Sequence, residues 1–532
     1  MDILNQLFRL FAADSSKNVP AGSIVDSTTE IQSILRNLPV TAPEKDIALA
    51  LKCIANSIPE DGLPLSQVTN HVLEELARGF ARGQSGPRYF GFVTGGALSA
   101  AQCGDILTTI YDQNVQVHLP TDTISTALEH RTLQLVLDLL SIPRATFTGQ
   151  SLSSGATGSN ILGLLCGRDH AIRKAIGDAE YSVADNGYPA GITIKVLTDR
   201  HHASIEKAAA IIGIGRKNVV SLVLAQSERF VDCLERQLEQ YRTSPGKVAT
   251  IVTVSFGEVN TGDFTDIRGV REVCDRYDAW LHIDAAFGAL ACLLPEYSHL
   301  SGQIACADSL TLDAHKSFNV PYAAGIFYTR DRALLTSILA GSTIPTYLAA
   351  ASQPRPEDFP EWVDTVASPL HTNLENSRRF IALPLYCALI NMGRKGYTEL
   401  MNRNIQFARD LAAWMLSGQG GQWYEVLNLM EGADGEKCVP LNVVLFRPRD
   451  TEDIPAIYRR SHYSSKPERA SSTLIQDINR TKGMYVSPGA YALGAVRIAV
   501  SNWTTGLNDD GEDLKAVKKI LRNIMLQDPR LD

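Results

Sequence analysis

The chain has 532 residues, 45% of them apolar and 20% charged, with a formal net charge of -8 at pH 7. That composition supports a large buried core, at roughly 150 residues per unit, and excludes wholesale disorder. With 50 basic against 58 acidic residues, global charge excludes non-specific nucleic-acid binding and leaves only a local basic groove open.

Nine cysteines lie between Cys53 and Cys438 without a CxxC pair, a pattern of reduced core thiols and not of a disulfide frame or zinc site. No stretch approaches the about 18 apolar residues of a membrane span. The opening MDILNQLFRLFAADSSK has an apolar patch but no basic region ahead of it and no cleavage site, so no secretory signal is expected. These features predict a soluble cytoplasmic protein with neither a membrane nor a nucleic-acid partner.

Residues 1–85 read as a helical N-terminal segment, because TTEIQSILRNL and LSQVTNHVLEELARGF space apolar residues at three and four. The chain then changes character. Strand-like runs alternate with helical segments: ITIKVL from Ile192, VVSLVLA from Val219, VATIVTVSF from Val248, AWLHI from Ala279 and AAGIFY from Ala323. Apolar strands separated by helices predict an α/β domain over 86–395, with a mainly parallel sheet covered on both faces. From Ser352, SQPRPEDFPEWVDTVASP carries four prolines and reads as a surface connector or an active-site flap. The glycine-rich stretch from Ser417 opens a smaller α+β unit, assigned to 396–532. That unit closes on EDLKAVKKILRNIM, an amphipathic helix with Leu514, Val517, Ile520, Leu521, Ile524 and Met525 on one face.

Three segments carry chemistry. In SSGATGSNILGLL, from Ser153, small residues open a long helix; Gly155 to Ser159 expose backbone N–H groups at a positive helix end, a phosphate cradle in physical terms. In AWLHIDAAFGA, an apolar strand runs into Asp284, at the carboxyl end where α/β sheets hold ligands. In DSLTLDAHKSFNVPYAAG, Lys316 follows His315 in a weakly charged setting, as a nucleophilic amine would. Each alone has a bland alternative: a plain helix start, a turn cap, a solvated lysine. Together they are the three handles of pyridoxal 5'-phosphate, for its phosphate, its pyridine nitrogen and its Schiff base. His201, His202 and Glu206 also raise a metal reading, which lacks a second ligand group, so no metal is expected.

The sequence resembles the group II pyridoxal-phosphate-dependent amino acid decarboxylases, of the aspartate-aminotransferase-like fold type I. The resemblance runs from about Pro87 to Gly396 on seven motifs in order: PRYFGF, SSGATGSN, HASIEKAA, HIDAAFG, DAHKSFNVPY, PTYL and NSRRFIALPLY, with a weaker echo in VRIAVSNWTT near Arg497. It implies that Lys316 carries the Schiff base, Asp284 pairs with the ring nitrogen, and Ala286 and His202 lie against the two ring faces. It also implies Ala156 and Thr157 at the phosphate, and Asp313 and His315 beside the lysine. Tyr347 would deliver the proton after carbon dioxide leaves, from a loop that reaches the partner subunit's site, so a homodimer with its active site at the subunit interface is implied. The implied activity is decarboxylation of an L-amino acid to its amine, and His202 and Tyr347 favour it over oxidative decarboxylation to an aldehyde, aldol-type cleavage or transamination. A non-catalytic homologue is disfavoured because Lys316 and Asp284 are both present. Three positions depart from the family pattern: Gly86, Ser317, and Gly257-Glu258-Val259, where a polar contact is missing and a carboxylate appears. Tyr89, Phe90 and Phe92 are candidates for the side-chain pocket.

Overall fold

A computed structural model describes residues 39–224, 228–341, 358–432, 435–463, 465–490, 494–507 and 510–526. Its centre is a seven-stranded sheet in the order β1-β7-β6-β5-β4-β2-β3. The strands are β1 (Gly149–Ser153), β2 (Ile192–Thr198), β3 (Val219–Ser221), β4 (Lys247–Ser255), β5 (Trp280–Asp284), β6 (Ser309–Asp313) and β7 (Gly325–Thr329). All neighbours are parallel except β7, which runs against both β1 and β6. The carboxyl ends of β1, β5 and β6 therefore open on one edge, and each leads into a segment singled out above.

Among the described residues, the helices of eight residues or more are α1 (Glu44–Cys53), α2 (Ser99–Tyr111), α3 (Ser125–Leu139), α4 (Ala156–Ile176), α5 (Ala203–Ile211), α6 (Phe230–Arg242), α7 (Ile267–Arg276), α8 (Arg332–Leu339), α9 (Ala382–Leu416), α10 (Arg469–Arg480) and α11 (Glu512–Leu526). On one face of the sheet Val196, Ile251 and Trp280 bury against Leu164 of α4 and Ile205 and Ala208 of α5. On the other, Val252, Val254, Leu281 and Ile283 join a larger core with α7 and the first part of α9. Burial on both faces accounts for the near-continuous apolar strands.

Two strands carry none of the apolar pattern used to predict the others. In β1 (GQSLS) and β6 (SLTLD), serine and threonine hydroxyls are buried and hydrogen-bonded inside the protein, as where Ser309 meets Trp280 and His282.

A second, four-stranded antiparallel sheet (487–489, 495–499, 443–448, 424–426) packs with α10, α11 and the end of α9 around a separate apolar core. In α11, Val517, Leu521, Ile524 and Met525 are buried in this core, as the spacing predicts. Helix α9 joins the two bodies; Gly393, at φ +57°, breaks its regular course between them. At the other end of the chain, TTEIQSILRNL lies outside the described residues. LSQVTNHVLEELARGF forms a helix (Leu65–Asn70), a π-helical turn (His71–Leu76) and a 3-10 turn (Ala77–Gly79). Among the described residues its apolar side chains stay largely uncovered: Leu65 is 81% exposed, Leu73 62% and Phe80 57%. Among the described residues, no helix is long and apolar enough to cross a membrane.

Candidate active site

Lys316 sits in the turn after β6. Its Nζ lies 3.9 Å from Asp313 Oδ2, and Asp313 Oδ1 lies 2.7 Å from His315 Nδ1. The turn is pinned from two sides: the Asn319 amide donates to Gly95 O at 2.5 Å and Ser501 O at 2.9 Å, and Leu98 N–H donates to Asn319 O at 2.8 Å. Asn319 adopts φ +54°, a left-handed geometry that asparagine tolerates. The His315 ring packs against Tyr322 in a tilted pair, 4.5 Å between ring centres.

Across the cleft, β1 reaches α4 through Gly155, whose φ of +154° and ψ of 172° are open to glycine alone. Helix α4 is 21 residues long. Its first amides have no partner within the helix, so their partial positive charge faces the cleft. Ala156 N–H lies 3.4 Å from Asp313 Oδ2, and Thr157 follows it in the first turn.

Asp284 ends β5 with both oxygens held: Oδ1 accepts from Ala286 N–H at 3.1 Å and Oδ2 from the Asn160 amide at 2.8 Å. Behind it the polar chain continues. Asn160 Oδ1 is 2.9 Å from His282 Nε2, His282 Nδ1 is 2.8 Å from Ser309 Oγ, and Trp280 Nε1 donates to Ser309 Oγ at 2.9 Å. Trp280, His282 and Asp284 alternate along β5 and share a face; Asn160, Gly163 and Gly167 recur at helical spacing on α4 and meet them. The two glycines are required by the close approach. A Cβ on Gly163 would stand 2.2 Å from the His282 ring, and one on Gly167 2.8 Å from Trp280.

His202 caps α5. Its Nδ1 accepts from Ser204 N–H at 3.2 Å and lies 2.9 Å from Ser204 Oγ. Burial pushes its pKa down, the positive charges of Lys316 and Arg497 push further, and Asp284 opposes them. The Asn160 amide, 2.8 Å from Asp284 Oδ2 and 3.0 Å from Ser204 Oγ, ties this cap to the end of β5. The neighbouring His201 turns to Glu206 at 3.1 Å, and among the described residues no group of three or more metal-ligating side chains converges.

The remaining predicted residues separate. Ala286 is buried directly after Asp284. Phe92 is 63% exposed at φ +55°, a strained backbone for a bulky residue, beside the site. Tyr89 stacks on Tyr485 at 4.8 Å, and burial pushes its hydroxyl up to about 12. Phe90 is 1% exposed and packs on Phe407 in the small core, so it lines no opening. Tyr347 lies outside the described residues. The departures are quiet: Ser317 donates to Phe287 O at 3.3 Å, and both oxygens of Glu258 are taken by Asn260 and Thr261 in its own turn.

Sequence reasoning gave no role to Arg497 or Asn160. Arg497 is buried, donates to Phe92 O and Val259 O, and has no carboxylate at ion-pair distance among the described residues; burial lowers its pKa. Its VRIAV setting marks a buried strand, and an arginine in such a strand is a signal that was there to read. Asn160 had only its place in a small-residue stretch.

The side chains fit pyridoxal 5'-phosphate on their own chemistry: an amine beside a buried carboxylate, a second carboxylate held by donors, an imidazole between them and a long helix's amino end. A profile of the pyridoxal-dependent decarboxylase conserved domain matches residues 49–420. The chain is 29% identical over 275 residues to the L-2,4-diaminobutyrate decarboxylase of Acinetobacter baumannii, covering 50% of this chain and 52% of that one. It is 28% identical over 426 residues to the aspartate 1-decarboxylase of Aliivibrio fischeri (strain ATCC 700601 / ES114), covering 76% and 74%. The match thus spans about half the length of the first relative and about three quarters of the second. Among solved structures, Catharanthus roseus tryptophan decarboxylase in complex with L-tryptophan superposes with a TM-score of 0.75 at 18% identity, over 96% of this chain and 100% of that one, a likeness of fold.

Proposed function

Because this chain belongs to the pyridoxal-dependent decarboxylase family, whose members depend on pyridoxal 5'-phosphate, we propose that it converts an L-amino acid to the corresponding amine and carbon dioxide. When bound, the cofactor supplies an electron sink for the pair left on the α-carbon as the carboxylate departs. In this reading Lys316 is the residue that attaches it. Asp284, its two oxygens already oriented by Ala286 and Asn160, keeps a proton on the ring nitrogen. Ala156 and Thr157 hold the phosphate at the amino end of α4, and Asp313 with His315 fixes the Lys316 turn. Ala286 and His202 close the two faces of the ring. His202, its Nδ1 engaged by Ser204, presents the opposite ring nitrogen to the cleft. Arg497 offers a buried positive charge to a substrate carboxylate. Tyr347 gives its phenol proton to the α-carbon.

The observation that carries the reading is the Asn160 amide shared between Asp284 and the Ser204–His202 cap, with Lys316 beside Asp313 at the end of the adjoining strand. Phe92 and the edge of Tyr89 form the wall met by the substrate side chain. The same reading makes the protein a homodimer, whose second copy covers the exposed apolar residues of 44–80 and supplies the Tyr347 loop. It divides the chain at 85 and 395, the latter beside the break at Gly393 in α9. It also puts the protein in the cytoplasm, where nine free thiols stay reduced.

The test is a panel of L-amino acids offered to the purified protein with pyridoxal 5'-phosphate, scored for carbon dioxide and for the organic product. Amine is expected in equal amount to carbon dioxide. Aldehyde, ammonia and peroxide, formed with consumption of dioxygen and water, would move the assignment to oxidative decarboxylation. Tyr347→Phe should shift product toward that second set, because a positioned acid outruns the encounter with oxygen. Light scattering should give a dimer. Mixing Lys316→Ala with Tyr347→Phe subunits should restore part of the activity, since one hybrid site carries both wild-type residues.

A further inference from the structure

We propose that Asn160 is a positioning residue that orients Asp284 and His202 together, and that its own orientation is imposed by His282 held as the neutral Nε2–H tautomer. The inference rests on the role given to Asp284 above.

Donors and acceptors fix the arrangement. An ionised carboxylate only accepts, so the group of Asn160 that faces Asp284 Oδ2 at 2.8 Å must be its NH2. The second N–H of that group points to Ser204 Oγ at 3.0 Å. Ser204 then spends its hydroxyl proton on His202 Nδ1, 2.9 Å away, so a neutral His202 carries its proton on Nε2. One amide thereby links the two side chains on either side of the cleft.

An amide could flip and exchange its ends. Here the other end, Oδ1, lies 2.9 Å from His282 Nε2 and requires a donor there. His282 is fully buried, and burial drives its pKa down, so the ring is neutral with a single proton. That proton must sit on Nε2, leaving Nδ1 to accept from Ser309, whose oxygen is also held by the Trp280 indole. Trp280 has only a donor, so the chain of choices ends there. The imidazole has no room to turn aside, because it fills the space that the missing side chain of Gly163 leaves. Every member is satisfied, the condition under which a buried polar network specifies one arrangement.

The test uses the full chain. In unmutated protein with 15N-labelled histidine, His282 and His202 should both show the neutral Nε2–H pattern at pH 7, with and without cofactor. A His282 ring that is charged, or protonated on Nδ1, overturns the proposal whatever the variants do. Asn160→Ala should bind pyridoxal 5'-phosphate about 10–100-fold more weakly by fluorescence titration, the range typical of losing an outer-shell partner. Its His202 resonances should become a mixture of tautomers. His282→Gln, which keeps a donor near the Nε2 position, should stay within a few-fold of the unmutated affinity, and His282→Leu should not. Unchanged affinity and an unchanged His202 pattern in Asn160→Ala overturn the role of Asn160. Asp284→Asn is the control: normal cofactor affinity and turnover there would remove the role of Asp284 itself. A defective Asp284→Asn beside a normal Asn160→Ala would remove only this proposal.

Discussion

The floor and the mouth of this site are built on opposite terms. At the floor, Asp284, Asn160, His282, Ser309 and Trp280 exchange hydrogen bonds of 2.8–2.9 Å, and no donor among these side chains is left unused. At the mouth, Phe92 is bulky, exposed and strained, Tyr322 is exposed, and the Arg497 guanidinium has no carboxylate partner among the described residues. A satisfied buried network resists change because breaking it strands polar groups away from water. A mouth with spare charge and exposed aromatic surface tolerates change and gains by binding something. The difference teaches that the two can vary separately: in the function proposed above, one would hold a constant group and the other would read a variable one.

The sharpest way to break that comparison is at Lys316, which belongs to neither side. Lys316→Ala should lose all measurable turnover, and borohydride reduction of the unmutated protein should fix the cofactor on the peptide containing Lys316. A label on another lysine would move the site.

Next in size is the floor. Asp284→Asn should cost at least about 10²–10³-fold in kcat, the range for losing a preorganised charge partner of the transition state, and should lower the unfolding temperature, because an amide at 284 sets its NH2 against either the Asn160 NH2 or the Ala286 N–H. The mouth should respond less and differently. Phe92→Ala should alter kcat/KM by about 10–200-fold between side chains of different size, the span available to a hydrophobic contact, while cofactor affinity holds. Equal losses for every substrate and for the cofactor would place Phe92 with the floor.

The smallest effect expected is on stability against pH. His282 and His202 have folded pKa values lowered by burial, and His130 is lowered to about 4. A histidine whose folded pKa lies below its unfolded value of about 6.5 disfavours the proton in the native state. Stability is therefore full above about pH 6.5 and falls between there and the folded pKa. The slope is at most about 1.4 kcal/mol per pH unit for each group. Urea midpoints read from pH 7 to pH 5 should decline, and His282→Gln should flatten the decline.

Much of this was legible in the chain. The strands β2, β4, β5 and β7 announce themselves as apolar runs, and Lys316, Asp284 and the Gly155 turn stand in an order that already suggests their use. What was not legible has a common physical cause: it depends on partners distant in sequence. Strands β1 and β6 hide because their hydroxyls are satisfied only in the folded sheet. Phe90 reads as a pocket residue until the small domain closes over it. Asn160 and His282 lie 122 positions apart, and no local pattern connects them.

That separation bears on the order of assembly. Helix α4 carries Gly158, Gly163 and Gly167 along its first four turns, each costing about 0.5–1 kcal/mol of helix stability relative to alanine. Left to itself this segment is a poor helix, and what supports it is the sheet face of β4, β5, β6 and β7 together with α5. A nascent chain has made the whole of α4 long before Asp284 is synthesised, so the amino end that faces the cleft forms late, by docking. Ribosome-bound chains ending before and after β5 should differ in the protection of α4 amides from exchange, and the binding cup comes into being only once its opposite wall exists.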